Sequence, residues 1–292
     1  MMTTTEAYLQ RLGFADRPEP SVHSLRRLQR AHVERIPYDN LSIQLGRPDD
    51  VETSAHRVAR GERLGYCFQQ NTAFQALLTD LGFTVSRRHG HVWTDPGDQL
   101  GDALNHLILV ASGLPTDDNP GGHWWVDAGL GDGFAEPLPL VRGEHVDDGF
   151  RYEIGAGYGA QAAGRPSGPA AWTFRHDPAG VFAGVVATSR ASDPIAVQDA
   201  HVRLSTLPDS PFRRVLVVQR REGPVCLTLR GCLLHEVTAD NSTTTELTTY
   251  AEWRAAFERL ALSVADVSEP EWQTLWTRTR AAHEAWDAAG RP

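Results

Sequence analysis

Apolar positions fall at helical spacing near both ends of the chain and at strand spacing between them. In EAYLQRLGF, Tyr8, Leu9 and Leu12 share one face. In SVHSLRRLQRAHVERIPYDN, Leu25, Leu28, His32 and Ile36 recur at helical spacing, with Ser21 as a candidate cap and Pro37 as the stop. From Phe68 onward, Phe74, Leu77, Leu78 and Leu81 repeat the pattern, and Gly82 ends it. The period then shortens. TVSRRHGHVWT, HLILVAS, HWWVDAGLG, RYEIG and AWTFRH read as strands separated by Gly, Pro, Asp and Asn, which predicts an antiparallel sheet or small barrel. The Gly/Ala/Pro stretch from Gly155 to Ala170 reads as a mobile loop. PFRRVLVVQRR and PVCLTLRGCLLHEVT predict two more strands turning near Gly223 and Pro224, and helical patterns return in YAEWRAAFERLAL and EPEWQTLWTRTRAAHEAWDAA. There is no internal repeat.

Composition narrows the function classes. A formal net charge of −9 argues against non-specific nucleic-acid binding, which needs clustered cations. No apolar run approaches the ~20 residues of a membrane span, and the opening residues lack the order of a signal peptide. Three cysteines with no framework spacing fit free thiols in a reducing compartment, so a cytoplasmic protein is expected.

One of those cysteines is placed for chemistry. In RLGYCFQQN, Gly65 lets the backbone turn sharply into a helix that begins near Cys67. Unpaired N–H groups and the positive end of the helix dipole favour a thiolate there. The alternative is a small buried hydrophobe. A nucleophile needs a base, and the base an orienter. His106 opens the apolar strand HLILV. Asp127 ends the apolar run WWVD, where a carboxylate is costly to bury unless it accepts hydrogen bonds. Cys67, His106 and Asp127 in that order, one at a helix start and two on neighbouring strands, are arranged like the triad of papain-type thiol enzymes. Tyr38, Trp93, Trp124 and Phe212 are candidate apolar walls, with core packing the alternative for each.

These segments resemble the arylamine N-acetyltransferase family. YLQRLGF and HVERIPYDNLSIQLGRP are similar to its opening helix and IPFEN segment, RLGYCFQQN to its RGGxCxE motif, LNHLILV to its histidine strand, and WWVDAGLGDGFAEPLPL to its VDVGFG…PL segment. SPFRRVLVVQRR also has a counterpart. The resemblance implies an α+β fold with a papain-like core: a helical bundle over residues 1–83, a β-barrel over 84–190 and an α/β lid over 191–292. It implies a Cys67–His106–Asp127 triad and transfer of an acyl group from acetyl-CoA or another acyl thioester, as co-substrate and not a resident cofactor, to a small amine. Gly129, Leu130 and Gly131 match the loop that approaches the coenzyme A phosphates, and Tyr38 and Phe212 are candidate substrate contacts.

The chain departs from the family at Leu64, Gln69, Asn105, Tyr38 and Asp39. Gln69 replaces a glutamate expected to pair with Arg63. The departures bring in a second substrate class, that of the family's amide synthases, which take acyl chains from carrier proteins. Other readings use different chemistry: a thiol hydrolase with water as acceptor, a metal site at His89, His91 and His123, or a binding protein with an inert thiol. No metal is expected from the ligand spacing.

Overall fold

The computed structural model describes residues 2–94, 104–156 and 172–291. The loop expected between Gly155 and Ala170 falls largely outside them; Gly155 and Ala156 close a strand.

The first part of the chain is helical: α1 (Thr4–Arg11), α2 (Val22–Arg35), α3 (Leu41–Gln44), α4 (Ser54–Ala59) and α5 (Cys67–Asp80), with a short strand, β1 (Tyr38–Asp39), after α2. Thr3 and Ser21 cap α1 and α2 through capping boxes. The predicted stripes meet in one core, where Leu25, Leu28, Phe74 and Leu77 pack with Tyr8. His32 lies inside this stripe as a neutral, satisfied side chain. Its ring nitrogens bond Tyr8 Oη at 2.8 Å and Gln70 Oε1 at 2.6 Å, and burial pushes it down to about 4.

Eight antiparallel strands follow: β2 (Thr84–Trp93), β3 (His106–Ser112), β4 (Trp124–Val126), β5 (Leu138–Pro139), β6 (Gly143–Asp147), β7 (Phe150–Ala156), β8 (Trp172–Arg175) and β9 (Gly184–Ala191). Their order is β5-β4-β3-β2-β9-β8-β7-β6. The edge strands β5 and β6 are close neighbours in the chain, so the sheet curls nearly shut as a barrel around Trp125, Tyr152, Phe174 and Val185. β3 is buried on both faces. Ile108 and Val110 point into the barrel, while Leu109 and Ala111 pack against the helices. That is why HLILV is continuously apolar instead of alternating.

The last part contains α6 (Pro194–Thr206), α7 (Pro211–Arg214), β10 (Val217–Glu222), β11 (Val225–Arg230), β12 (Leu233–Val237), β13 (Ser242–Glu246), α8 (Tyr250–Arg259) and α9 (Glu269–Ala288). It corrects the sequence reading in three places. PFRR is a short helix with Pro211 at its start, not strand. PVCLTLRGCLLHEVT is two strands, because Gly231, at φ 59°, turns the chain between β11 and β12. β13, STTTE, is an exposed polar edge strand with no apolar alternation to reveal it. The second sheet runs β1-β10-β11-β12-β13, so its first strand comes from the helical part of the chain. One face of this sheet packs Val218, Leu227 and Leu229 on Trp253, Phe257 and Trp272 of α8 and α9. Gln219 and Thr228, on the other face, line a cleft.

Candidate active site

α5 starts at Cys67, as the sequence predicts. Gly65 has φ 116°, a conformation that favours glycine. Asp39 clamps it from both sides: the Asp39 N–H donates to the Gly65 carbonyl at 3.1 Å, and the Gly65 N–H donates to Asp39 Oδ2 at 3.2 Å. Burial raises the Asp39 carboxyl to about 6, with Arg63 acting in the opposite direction. Tyr66 caps α5 without a side-chain hydrogen bond, so no side chain offsets the positive helix end at Cys67.

His106 is the first residue of β3. Its Nε2 donates to Asp127 Oδ2 at 2.7 Å, which leaves Nδ1 as the uncommitted ring nitrogen. The ring lies beside the Cys67 side chain, and both line one cleft. The Cys67 sulfur lies 3.8 Å from the Asn105 carbonyl oxygen. Burial alone lowers the basicity of His106. The Asp127 charge and hydrogen bond and the neighbouring Cys67 more than offset this and raise it to about 10.

Asp127 is almost fully buried, and its carboxylate accepts four hydrogen bonds. Oδ2 takes His106 and the Trp125 indole at 3.0 Å; Oδ1 takes Asn71 Nδ2 at 2.7 Å and the Gly129 N–H at 3.0 Å. The Asp127 N–H in turn donates to Gln29 Oε1 at 2.9 Å. Sequence reasoning missed Asn71, Gln29 and Trp125. Asn71 lies one helical turn after Cys67, so both face the same side. The available signal was the run Gln69–Gln70–Asn71–Thr72, four polar residues all buried in one helix.

Cys67 and His106 line a cleft of about 490 Å³ between the barrel, α6, α7 and the second sheet. Tyr38 and Phe212 line it. Trp93 and Trp124 do not. Trp93 is buried against Gly184, and Trp124 sits in the helical core, donating to the Leu114 carbonyl at 2.8 Å. Arg203 and Arg230 also line the cleft and carried no signal in the sequence.

A family model described as N-acetyltransferase matches residues 21–266. This chain belongs to the arylamine N-acetyltransferase family. The structure of the arylamine N-acetyltransferase from Mycobacterium abscessus superposes with a TM-score of 0.79 at 25% identity, covering 95% of each chain. Arylamine N-acetyltransferase 1 of Homo sapiens is 31% identical over 144 residues, 48% of each protein. Proansamycin X synthase of Amycolatopsis mediterranei is 30% identical over 169 residues, 54% of this chain and 62% of that one. The alignments thus span about half the length of the first curated relatives.

Within this arylamine N-acetyltransferase fold, the departures from the family pattern acquire physical roles. Arg63 does not turn to Gln69. Its guanidinium bonds Ser42 Oγ at 3.0 and 3.1 Å and pairs with Asp266. Gln69 donates to the Asp49 carbonyl at 2.9 Å instead. Asn105 acts as an extra rung of the barrel ladder: its side chain accepts from the Val92 N–H at 2.7 Å and donates to the Val92 carbonyl at 2.9 Å. Gly129 and Leu130 line the cleft. Gly129 is demanded by packing, since a Cβ on it would lie 2.6 Å from Cys67 Cα, and Gly131 by its backbone, at φ 72°. His91 lines the cleft, whereas His123 is exposed ahead of β4, on the far side of β3 from β2. Among the described residues no group of three or more His, Cys, Asp or Glu is arranged to hold a metal ion, and no helix is long and apolar enough to cross a membrane.

Proposed function

We propose that this protein transfers an acyl group, acetyl in the simplest case, from a thioester donor to a small amine through a thioester on Cys67. The observation that carries this reading is the pairing of Cys67 and His106 in one cleft at the start of α5, with His106 bonded to the buried Asp127. The names of the relatives support it: arylamine N-acetyltransferases, and a proansamycin X synthase.

Each step balances. Cys67 passes its proton to His106 Nδ1, giving a thiolate beside an imidazolium. The thiolate attacks the donor carbonyl, and the tetrahedral intermediate expels the donor thiolate, which takes the proton from His106 Nδ1 and leaves as a thiol. His106 is now neutral. The amine attacks the Cys67 thioester, His106 removes its proton, and Cys67 departs as thiolate with the amide formed. Asp127 stabilises the imidazolium and fixes which nitrogen faces the sulfur. The first turn of α5 offers backbone N–H groups to the oxyanion. Tyr38 and Phe212 exclude the water that otherwise hydrolyses the intermediate. The donor is acetyl-CoA or a related thioester, with a carrier-protein thioester as the variant that the synthase-like similarity favours, and the loop Gly129–Leu130–Gly131 lies beside it. Three free cysteines fit a cytoplasmic setting.

The test is mass spectrometry after brief exposure to acetyl-CoA, and separately to an acylated carrier protein. An acyl adduct confined to the Cys67 peptide, discharged as amide by an arylamine, is expected. No adduct from either donor, or discharge as fast in buffer as with amine, overturns the reading.

A further inference from the structure

A second cavity, of about 190 Å³, lies where the ends of β10, β11 and β12 meet α9. Arg230 lines both this cavity and the Cys67 cleft, so the two adjoin around the end of β11. Leu216, Leu233 and Trp286 supply apolar wall, and Arg214, Arg230 and Arg278 supply three guanidinium groups.

These arginines are unlike many others in the chain. About half of the described arginines meet carboxylates, as Arg30 meets Glu136 and Asp148, and Arg259 meets Glu222. Among the described residues, the Arg214 side chain donates only to the Asp209 backbone carbonyl. Arg278 donates to the carbonyl and side-chain oxygens of Gln44 at 2.8 and 2.6 Å. The side chain of Arg230, exposed at the end of β11, forms no ion pair among the described residues. The nearby Glu246 is already taken by Arg280, His283 and Arg291. Burial and then repulsion from Arg213 push Arg278 below its ordinary basicity, as expected of a cation without a counter-charge. On a chain of net charge −9, three uncompensated guanidinium groups around one cavity mark a place for an anion.

Guanidinium forks match phosphate oxygens two at a time. We propose that Arg214, Arg230 and Arg278 form a phosphate-binding subsite for the acyl donor, holding the phosphate end of a phosphopantetheine thioester against α9 while its thioester lies at Cys67. This rests on the acyl-transfer reading above. It places the donor's phosphate on β11, α7 and α9, away from the glycine loop. The same chemistry arrives from a free nucleotide thioester or from a carrier-protein arm.

The test uses Arg230→Gln, Arg278→Gln and the double variant of the full chain. The first readout is the ratio of kcat/KM for acetyl-CoA to that for S-acetyl-N-acetylcysteamine, which has no phosphate. A fall of about tenfold for each single variant is expected from loss of one charge-assisted bond. The second is calorimetric binding of adenosine 3′,5′-bisphosphate and of 4′-phosphopantetheine, which needs no turnover. Weakened binding of both by the variants supports the subsite with a nucleotide donor. Weakened binding of 4′-phosphopantetheine alone supports it with a carrier-protein donor. An unchanged kinetic ratio with unaltered binding of both compounds overturns the subsite even if Cys67 is acylated. Arginine-dependent binding without any acylation of Cys67 sinks the acyl-transfer reading and leaves the subsite standing.

Discussion

Nε2 of His106 lies 2.7 Å from Oδ2 of Asp127, and three further donors hold that carboxylate in place: Trp125, Asn71 and the Gly129 N–H. Asp127→Asn removes the charge that sustains the imidazolium, and its amide presents an N–H where His106 and Asn71 already offer donors. A rate loss of about 10⁴ is expected, as when the carboxylate of another triad is replaced by amide. Turnover measured beside circular dichroism checks this. Less than a tenfold loss in a folded variant shows that the carboxylate is assigned wrongly.

His106 also sets a pH dependence. Its folded value, about 10, lies above the ordinary 6.5. A raised value stabilises the fold fully below pH about 6.5 and loses that contribution as pH rises towards 10. The difference in unfolding free energy between wild type and His106→Gln should therefore be constant on the acid side and shrink across that window. Denaturant titrations at closely spaced pH values read it. A difference that grows with pH contradicts the assignment.

The three thiols should separate cleanly under limiting iodoacetamide. Burial pushes Cys226 and Cys232 up to about 11, so at pH 7 only about one part in ten thousand of either is thiolate. Cys67, though itself buried, lines the cleft beside His106. Peptide mapping should find it labelled at least a hundredfold faster, and an acyl donor should protect it. Comparable labelling of all three points to an inert binding protein.

Gln69→Glu, which restores the family's residue, should destabilise this chain. Gln69 is 2% exposed, bonds the Asp49 carbonyl, and shares a small void with Asp39 and Asp49, while Arg63 is engaged by Ser42 and Asp266. A carboxylate there loses a donor and gains two like-charged neighbours, a loss of about 1–3 kcal/mol. Burial raises its folded value above the unfolded one, so the penalty is smallest at low pH and appears as pH rises through that value. Thermal melts at pH 5 and pH 8 test it, and a variant as stable as wild type at pH 8 refutes it.

Gly129→Ala forces a Cβ to within 2.6 Å of the Cys67 Cα, a backbone atom that cannot swing aside. The start of α5 must shift, which should cost about 1–3 kcal/mol of stability and most of the activity. Unfolding and turnover measured on the same preparation check both. Near wild-type activity shows that the loop yields instead of the nucleophile.

Much of this protein follows from local pattern. The helices with 3.6-residue stripes form where their apolar positions predict, because each stripe must be buried wherever it ends up. Gly65 before an uncapped helix start marks Cys67, and the apolar runs that carry His106 and Asp127 mark two strands. Local pattern also explains the misses. β13 has no apolar face to display, and Gly231 divides what reads as a single apolar run. What tertiary structure alone decided is the surroundings of those residues. Asn71 reaches Asp127 across 56 positions and Gln29 across 98. β1 leaves the helical part to pair with β10, and Arg203 and Arg230 reach the cleft from elements well beyond the triad in sequence. Periodicity reports which face of an element is buried; it carries no information about which distant polar group will be waiting there, and hydrogen bonds between distant positions are settled only when the layers close.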